Sequence, residues 1–320
     1  MAPPKRIWII VAFAAIYIIW GSTYLGILFA IESIPPFLMA GSRFIISGLI
    51  MYVIARATGA PAPTAITWKS AFIVGGCLLL CGNGSVTISE QWVPSSLASL
   101  LVATVPIYIA LLGWVLGTAP RPSPIICAGL IGGFIGVGVL VGPALTTSGT
   151  GNANHLALGM GILLVGSLIW SIGSLYSRSA VSSPSLILAA GQQMICGGGL
   201  LFLIGLAVGE THRFDITRVS SLSWWAFLYL VLIGAIIGYT AYFWLLRHCD
   251  AAKVATYAYI NPVVAVFLGT MFAHEKLSLR TIIGAALIVG SVALVITAQQ
   301  LKARSGGSLI TRAEPVDCAT

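Results

Sequence analysis

The chain has 320 residues, 58% of them hydrophobic and 8% charged, with a formal net charge of +8. A soluble domain carries about 25% charged residues, so this composition excludes a soluble globule. The basic residues stand singly at the ends of apolar blocks, with no stripe and no interleaved aromatics, which argues against nucleic acid as a partner.

The apolar blocks run to about 20 residues, the length that spans a bilayer as helix. They are too continuous for the alternating strands of a membrane barrel. The fold class is therefore all-α polytopic membrane protein. Ten spans are predicted, at 7–29, 37–56, 70–89, 95–117, 125–141, 158–178, 186–208, 224–246, 252–273 and 281–300. The first block lacks a small-residue cleavage site and outlasts a signal h-region, so it is expected to be retained.

In chain order, the first span carries Trp20-Gly21-Ser22-Thr23-Tyr24. Trp20 stands nearer mid-span than an interfacial belt would place it, and either lines a cavity or packs the core. The second span, from Phe37, contains Arg43. At about 1.5 Å rise per residue this arginine lies roughly 9 Å inside the span. An ionisable group at that depth costs several kcal/mol unless it faces a partner or a wet cavity, which makes it a functional candidate.

The third span holds Gly82-Asn83-Gly84, with Thr87 one turn on and Glu90 at the end. Asn83 either contributes to a polar site or bonds a neighbouring helix. Glu90 is either a partner for Arg43, and then also a candidate carrier of a coupling proton, or a cap on a loop. Pro106 in the fourth span and Pro262 in the ninth stand mid-helix. Each removes a backbone hydrogen bond, and either shapes a gate or only kinks its helix.

The sixth span carries Trp170 and the seventh Gln193. In the ninth, Tyr257 and Asn261 share a face at i,i+4. Glycines recur at four-residue spacing, as in Gly129/Gly133, Gly132/Gly136 and Gly234/Gly238. They let helices approach closely, or present a homodimer face.

Cofactor chemistry finds no support. Cys77 and Cys81 share a face, but no histidine falls inside a span to complete a metal site. A phosphate-binding glycine loop is missing, so ATP-driven transport by this chain alone is not expected. A membrane-embedded enzyme would need a nucleophile–base pair or a metal cluster within the spans, and the sequence offers neither.

Lys and Arg counted on alternate sides give an orientation. Lys5, Arg6, Arg56, Lys69, Arg121, Arg178, Arg247, Lys253, Lys302, Arg304 and Arg312 fall on one side. Only Arg213, Arg218, Lys276 and Arg280 fall on the other. The richer side is expected to be cytoplasmic, with both termini there.

The halves also match one another. Gly41 aligns with Gly191, Gly48 with Gly198, Trp20 with Trp170, Arg43 with Gln193 and Pro106 with Pro262. Two repeats are predicted, at 7–143 and 158–300, joined by a linker over 142–157 and followed by a tail at 301–320. Five spans per repeat is odd, so the second enters the membrane inverted, a transporter pattern with the substrate site near the midplane.

The runs IIWGSTYLGI (18–27), IPPFLMAGSRF (34–44), CGNGSVTISEQWVPSSLASLLVATVPIY (81–108) and YAYINPVVAVFLGT (257–270) resemble the EamA family of the drug/metabolite transporter superfamily. The resemblance implies ten transmembrane helices in two inverted five-helix repeats, a bacterial inner-membrane location, and export or exchange of small metabolites such as amino acids.

The expectation is a secondary transporter in the lipid bilayer, working by alternating access. Arg43, Trp20, Ser22, Asn83, Glu90, Trp170, Gln193, Tyr257 and Asn261 are its candidate substrate residues. Pro106 and Pro262 are its candidate kinks, and the proton is a candidate coupling ion. A passive facilitator or channel of the same architecture is the alternative, ahead of an enzyme.

Overall fold

The computed structural model describes residues 6–117, 122–146, 151–249, 254 and 256–306. Lys5, Arg121, Lys253 and Arg312 of the charge pattern, and the tail beyond 306, lie outside the described residues.

The helices are α1 (Arg6–Ile31), α2 (Pro36–Ala57), α3 (Ala65–Ser89), α4 (Ser95–Val115), α5 (Pro124–Thr146), α6 (Gly151–Ser177), α7 (Leu186–Ala207), α8 (221–248), α9 (Tyr257–Phe272) and α10 (Leu279–Gly306). No strand occurs among the described residues. Among the described residues, eight helices are long and apolar enough to cross a membrane. The other two, α5 and α9, contribute shorter apolar stretches, Pro124–Leu140 and Ile260–Phe272. Large apolar side chains point outward, as Trp225 (71% exposed), Val53 and Leu203 (61% each) do, which suits a lipid-facing surface.

Several boundaries differ from the sequence expectation. α3 begins at Ala65 because Thr64 and Thr67 form a reciprocal capping box: the Thr67 N–H donates to Thr64 Oγ1 at 3.3 Å and the Thr64 N–H to Thr67 Oγ1 at 3.0 Å. α5 and α6 extend into the expected linker and leave only 147–150 between them. α10 runs past Gln300 to Gly306, into the stretch expected as tail.

The two halves are packed in matching ways. α2 lies along α7, and α5 along α10. α1 packs on α8 and α9, as α6 packs on α3 and α4. Glycines set the α2–α7 distance from both sides. A Cβ at Gly41 would fall 2.6 Å from the Phe202 backbone N, and one at Gly191 3.0 Å from the Gly48 carbonyl oxygen. The Gly129 and Gly136 stripe is used in the same way inside the chain, against Val295 and Ile288 of α10.

Both α3 and α8 carry an eight-residue stretch wound with i→i+5 hydrogen bonds, Gly76–Asn83 and Leu230–Ile237. Such stretches widen a helix and often occur where it serves a site.

Candidate functional site

A cavity of about 320 Å³ lies between the halves. α1, α2, α3, α4, α6, α8, α9 and α10 all contribute to its wall. Both widened stretches face it, the first through Gly82 and Asn83, the second through Leu230, Gly234 and Ala235. The wall also contains Arg178, which is exposed just past the end of α6, so the cavity reaches the surface at that end of the bundle.

Arg43 is 3% exposed and lies in this wall. Its Nη2 donates to Asn83 Oδ1 at 3.0 Å, and its guanidinium carbon stands 4.4 Å from the centre of the Phe44 ring. Its Nε is buried with no hydrogen-bond partner among the described residues. A guanidinium carries five N–H donors in a fixed fork, and a buried donor left unpaired costs about 1–3 kcal/mol. The one wall residue besides Arg43 with such an orphaned group is Ser167, through its Oγ. A cation, an amide and a free hydroxyl on one cavity wall suit the carboxylate of a small solute.

The rest of the wall is aromatic and aliphatic. Trp20 is surrounded by Tyr257, Tyr242 and Tyr239, with ring centres 5.0, 5.1 and 5.3 Å away, the Tyr257 contact being edge-on. Trp170 lies over Gly82, where a Cβ would come within 2.3 Å of its ring. That approach explains why the residue before Asn83 has no side chain. With the Asn261 amide assigned by its surroundings, which offer only acceptors on that side, its nitrogen donates to the carbonyl oxygens of Tyr17 and Tyr257, 3.2 Å from each, tying α9 to α1.

Both prolines line the cavity and act differently. α4 breaks into Ser95–Val102 and Val105–Val115, with Pro106 near the start of the second piece. Pro262 is absorbed inside α9, which continues through it. A proline leaves unbonded the carbonyl four residues earlier. Those residues, Val102 and Ala258, also line the cavity.

The cavity thus gathers Trp20, Arg43, Asn83, Trp170, Tyr257, Asn261, Pro106 and Pro262. It does not gather Ser22, Glu90 or Gln193. Ser22 turns to α8, where its Oγ bonds the Tyr229 hydroxyl at 2.5 Å and the Ile19 carbonyl at 2.8 Å. Gln193 lines a separate small crevice with Thr67 and Gln192. Glu90 is 3% exposed at the end of α3 and outside the cavity wall. It does not pair with Arg43: the ion pair found among the described residues is Arg218–Asp215, at 3.1 Å on the surface. Sequence reading missed Ser167 and Tyr239, and the one available signal for Ser167 was its place one turn before Trp170.

The EamA-like transporter family profile matches residues 6–142 and again 157–297. The chain is 36% identical over 287 residues to "Uncharacterized inner membrane transporter YedA" of Escherichia coli K12, covering 89% of each protein. It is 28% identical to "Uncharacterized transporter YvbV" of Bacillus subtilis strain 168, covering 92% of this chain and 93% of that protein. A solved crystal structure, 20% identical, superposes with a TM-score of 0.61 over 91% of this chain and 98% of its own, which shows a shared fold. On the doubled profile match and the identity to YedA, this chain belongs to the EamA-like transporter family.

Proposed function

We infer that the chain is a secondary transporter of the bacterial inner membrane that exports small metabolites bearing a carboxylate and an apolar body, amino acids among them, by alternating access between two inverted five-helix repeats. The observation that carries this reading is the unpaired Nε of Arg43 in the wall of a cavity made mostly of aromatic and aliphatic groups. Arg43 holds the carboxylate, Asn83 keeps the guanidinium aimed, Ser167 adds a hydroxyl, and Trp20, Trp170 and Tyr257 pack the apolar body.

The matched packing of α2 with α7 and of α5 with α10 supports the repeat reading. The basic residues Arg56, Lys69 and Arg178 support a cytoplasmic position for their end of the bundle, with both termini on that side. The cavity then opens inward, the state that loads a solute for export.

Purified protein in proteoliposomes tests this, with radiolabelled amino acids as probes and variants Arg43→Ala and Arg43→Lys. A carboxylate site predicts that uptake falls by about two orders of magnitude in Arg43→Ala, since losing one member of a buried charged contact costs about 2–5 kcal/mol. Full activity in both variants sinks the role given to Arg43. A substrate panel read by thermal shift supplies the identity, because a bound solute raises the melting temperature with its concentration.

A further inference from the structure

Glu90 has no part in the cavity, yet it is the most isolated carboxyl group in the bundle. It is 3% exposed, and neither carboxylate oxygen has a hydrogen-bond partner among the described residues. Two other glutamates at the same end, Glu210 buried and Glu275 half-buried, show how a carboxylate is accommodated here. Glu210 accepts the N–H groups of Phe37 and Leu38 at 3.2 and 2.8 Å, at the start of α2. Glu275 accepts the N–H groups of Ser95 and Ser96 at 2.7 and 3.1 Å, and the Ser95 hydroxyl at 2.7 Å, at the start of α4. Each reaches from the second half of the chain to the first amides of a helix in the first half, so the pair clasps the two halves together.

Glu90 stands beside one of these clasps. It lies in the turn between α3 and α4, just ahead of Pro94 and Ser95. The groups in electrostatic reach of it are Glu275, Arg43 of α2 and Tyr24 of α1. α6 brings His155 to the same turn, with its ring stacked on Trp92 at 5.6 Å. Glu275 faces three donors and the positive end of α4. A second anion buried nearby, with no donor of its own, would carry both a desolvation cost and like-charge repulsion. The closed arrangement therefore accommodates Glu90 as the neutral acid.

We propose that Glu90 is a proton-binding site that gates this end of the bundle. With the proton bound, the Glu275 clasp holds α4 and the end is shut. When the proton leaves to water, a second negative charge faces Glu275, the clasp parts, and the start of α4 swings free. The carboxyl O–H bond is the only bond made or broken. This device rests on the alternating-access reading, and supplies that reading with an outer gate worked by protons.

The full chain in lipid nanodiscs tests it, in a background with the native cysteines replaced by alanine. Spin labels are placed through Gln91→Cys and Leu277→Cys, both exposed positions beside the clasp. The expected result is a longer label distance that gains population as pH rises, by up to about tenfold per pH unit, the limit for one linked proton. Glu90→Gln is expected to stay closed at every pH, and to lose an infrared band of a neutral carboxyl group that the parent shows. Glu275→Gln, which removes the repelling partner, is expected to keep that band and flatten the pH response.

Widening with pH that persists in Glu90→Gln overturns the proposal, and so does a parent spectrum without a carboxyl band traceable to Glu90. Both readouts stand apart from transport. A chain that opens with pH as described and carries no labelled amino acid would refute the transport reading and leave the gate in place.

Discussion

α2 and α7 pack along each other and make the same kind of contact, yet only one of them lines the cavity. Gly41 and Gly48 of α2 let α7 approach, and Gly191 and Gly198 of α7 let α2 approach. Next to this shared seam stands Arg43 in α2, reaching the cavity, and Gln193 in α7, turned to a separate crevice. The backbone packing is kept symmetric because a close helix crossing tolerates nothing larger than glycine on either side. The side chains beside the seam are free to differ, since the cavity wall takes residues from α2 and none from α7. The glycine packing is shared by the two helices, and the cavity wall is not.

The first way to break that comparison is to attack its symmetric part. A Cβ at Gly41 would sit 2.6 Å from the Phe202 backbone N, and backbone cannot rotate out of the way. Gly41→Val is expected to destabilise the bundle by at least the 1–3 kcal/mol or so of ordinary overpacking. Gly198→Val, whose Cβ would lie 2.8 Å from Phe44 Cβ and 3.0 Å from the Gly41 carbonyl oxygen, is expected to do comparable damage from the other side. Thermal unfolding of both variants in detergent reads the pair. A large loss in one and none in the other would end the claim that the seam is symmetric.

The asymmetric part responds differently. Arg43→Met keeps an unbranched, helix-compatible side chain and removes the charge and all donors. The fold is expected to survive, with melting within a few degrees of the parent, while solute affinity drops by about two orders of magnitude. Asn83→Ala removes one hydrogen bond to the guanidinium, a contact worth about 1.5–3 kcal/mol. Arg43 then has a free Nη2 as well as a free Nε, and affinity is expected to fall by about tenfold or somewhat more. Equilibrium binding of a labelled amino acid separates these two losses, and an Asn83→Ala effect larger than that of Arg43→Met would reverse their assigned roles.

Much of this was legible in the sequence because membrane burial leaves strong marks. One arginine within an apolar helix, one asparagine between glycines and two mid-helix prolines have few readings in hydrocarbon, and all four line the cavity. Ser22 was misjudged because adjacency along a helix is not adjacency in space. It is turned by about 200° from Trp20, and its hydroxyl bonds Tyr229 of α8 instead of lining the cavity. Tyr239 left no mark and Ser167 only its place one turn before Trp170, because a hydroxyl on an apolar helix reads the same whether it packs or binds. The glutamate clasps were out of reach for another reason. Glu210 and Phe37 are brought together by the fold of whole helices, and no local pattern announces a carboxylate that caps a helix more than a hundred residues away.

The smallest expected effect tests the comparison most sharply. Gln193 is half-buried in its crevice, and nothing from α7 enters the cavity wall. Gln193→Ala is expected to change stability by no more than about 0.5–1 kcal/mol and to leave solute affinity unchanged, since no polar contact to the cavity is lost. Under the proposed inverted repeat the residue is the counterpart of Arg43, and it lines its crevice beside Thr67, near the start of α3. If the crevice at Gln193 took part when the bundle opens the other way, Gln193→Ala would impair transport while leaving binding to the inward-open state intact. Transport measured alongside binding decides between a purely structural glutamine and a second station on the solute's path, and equal values to the parent in both assays would confine the chemistry to α2.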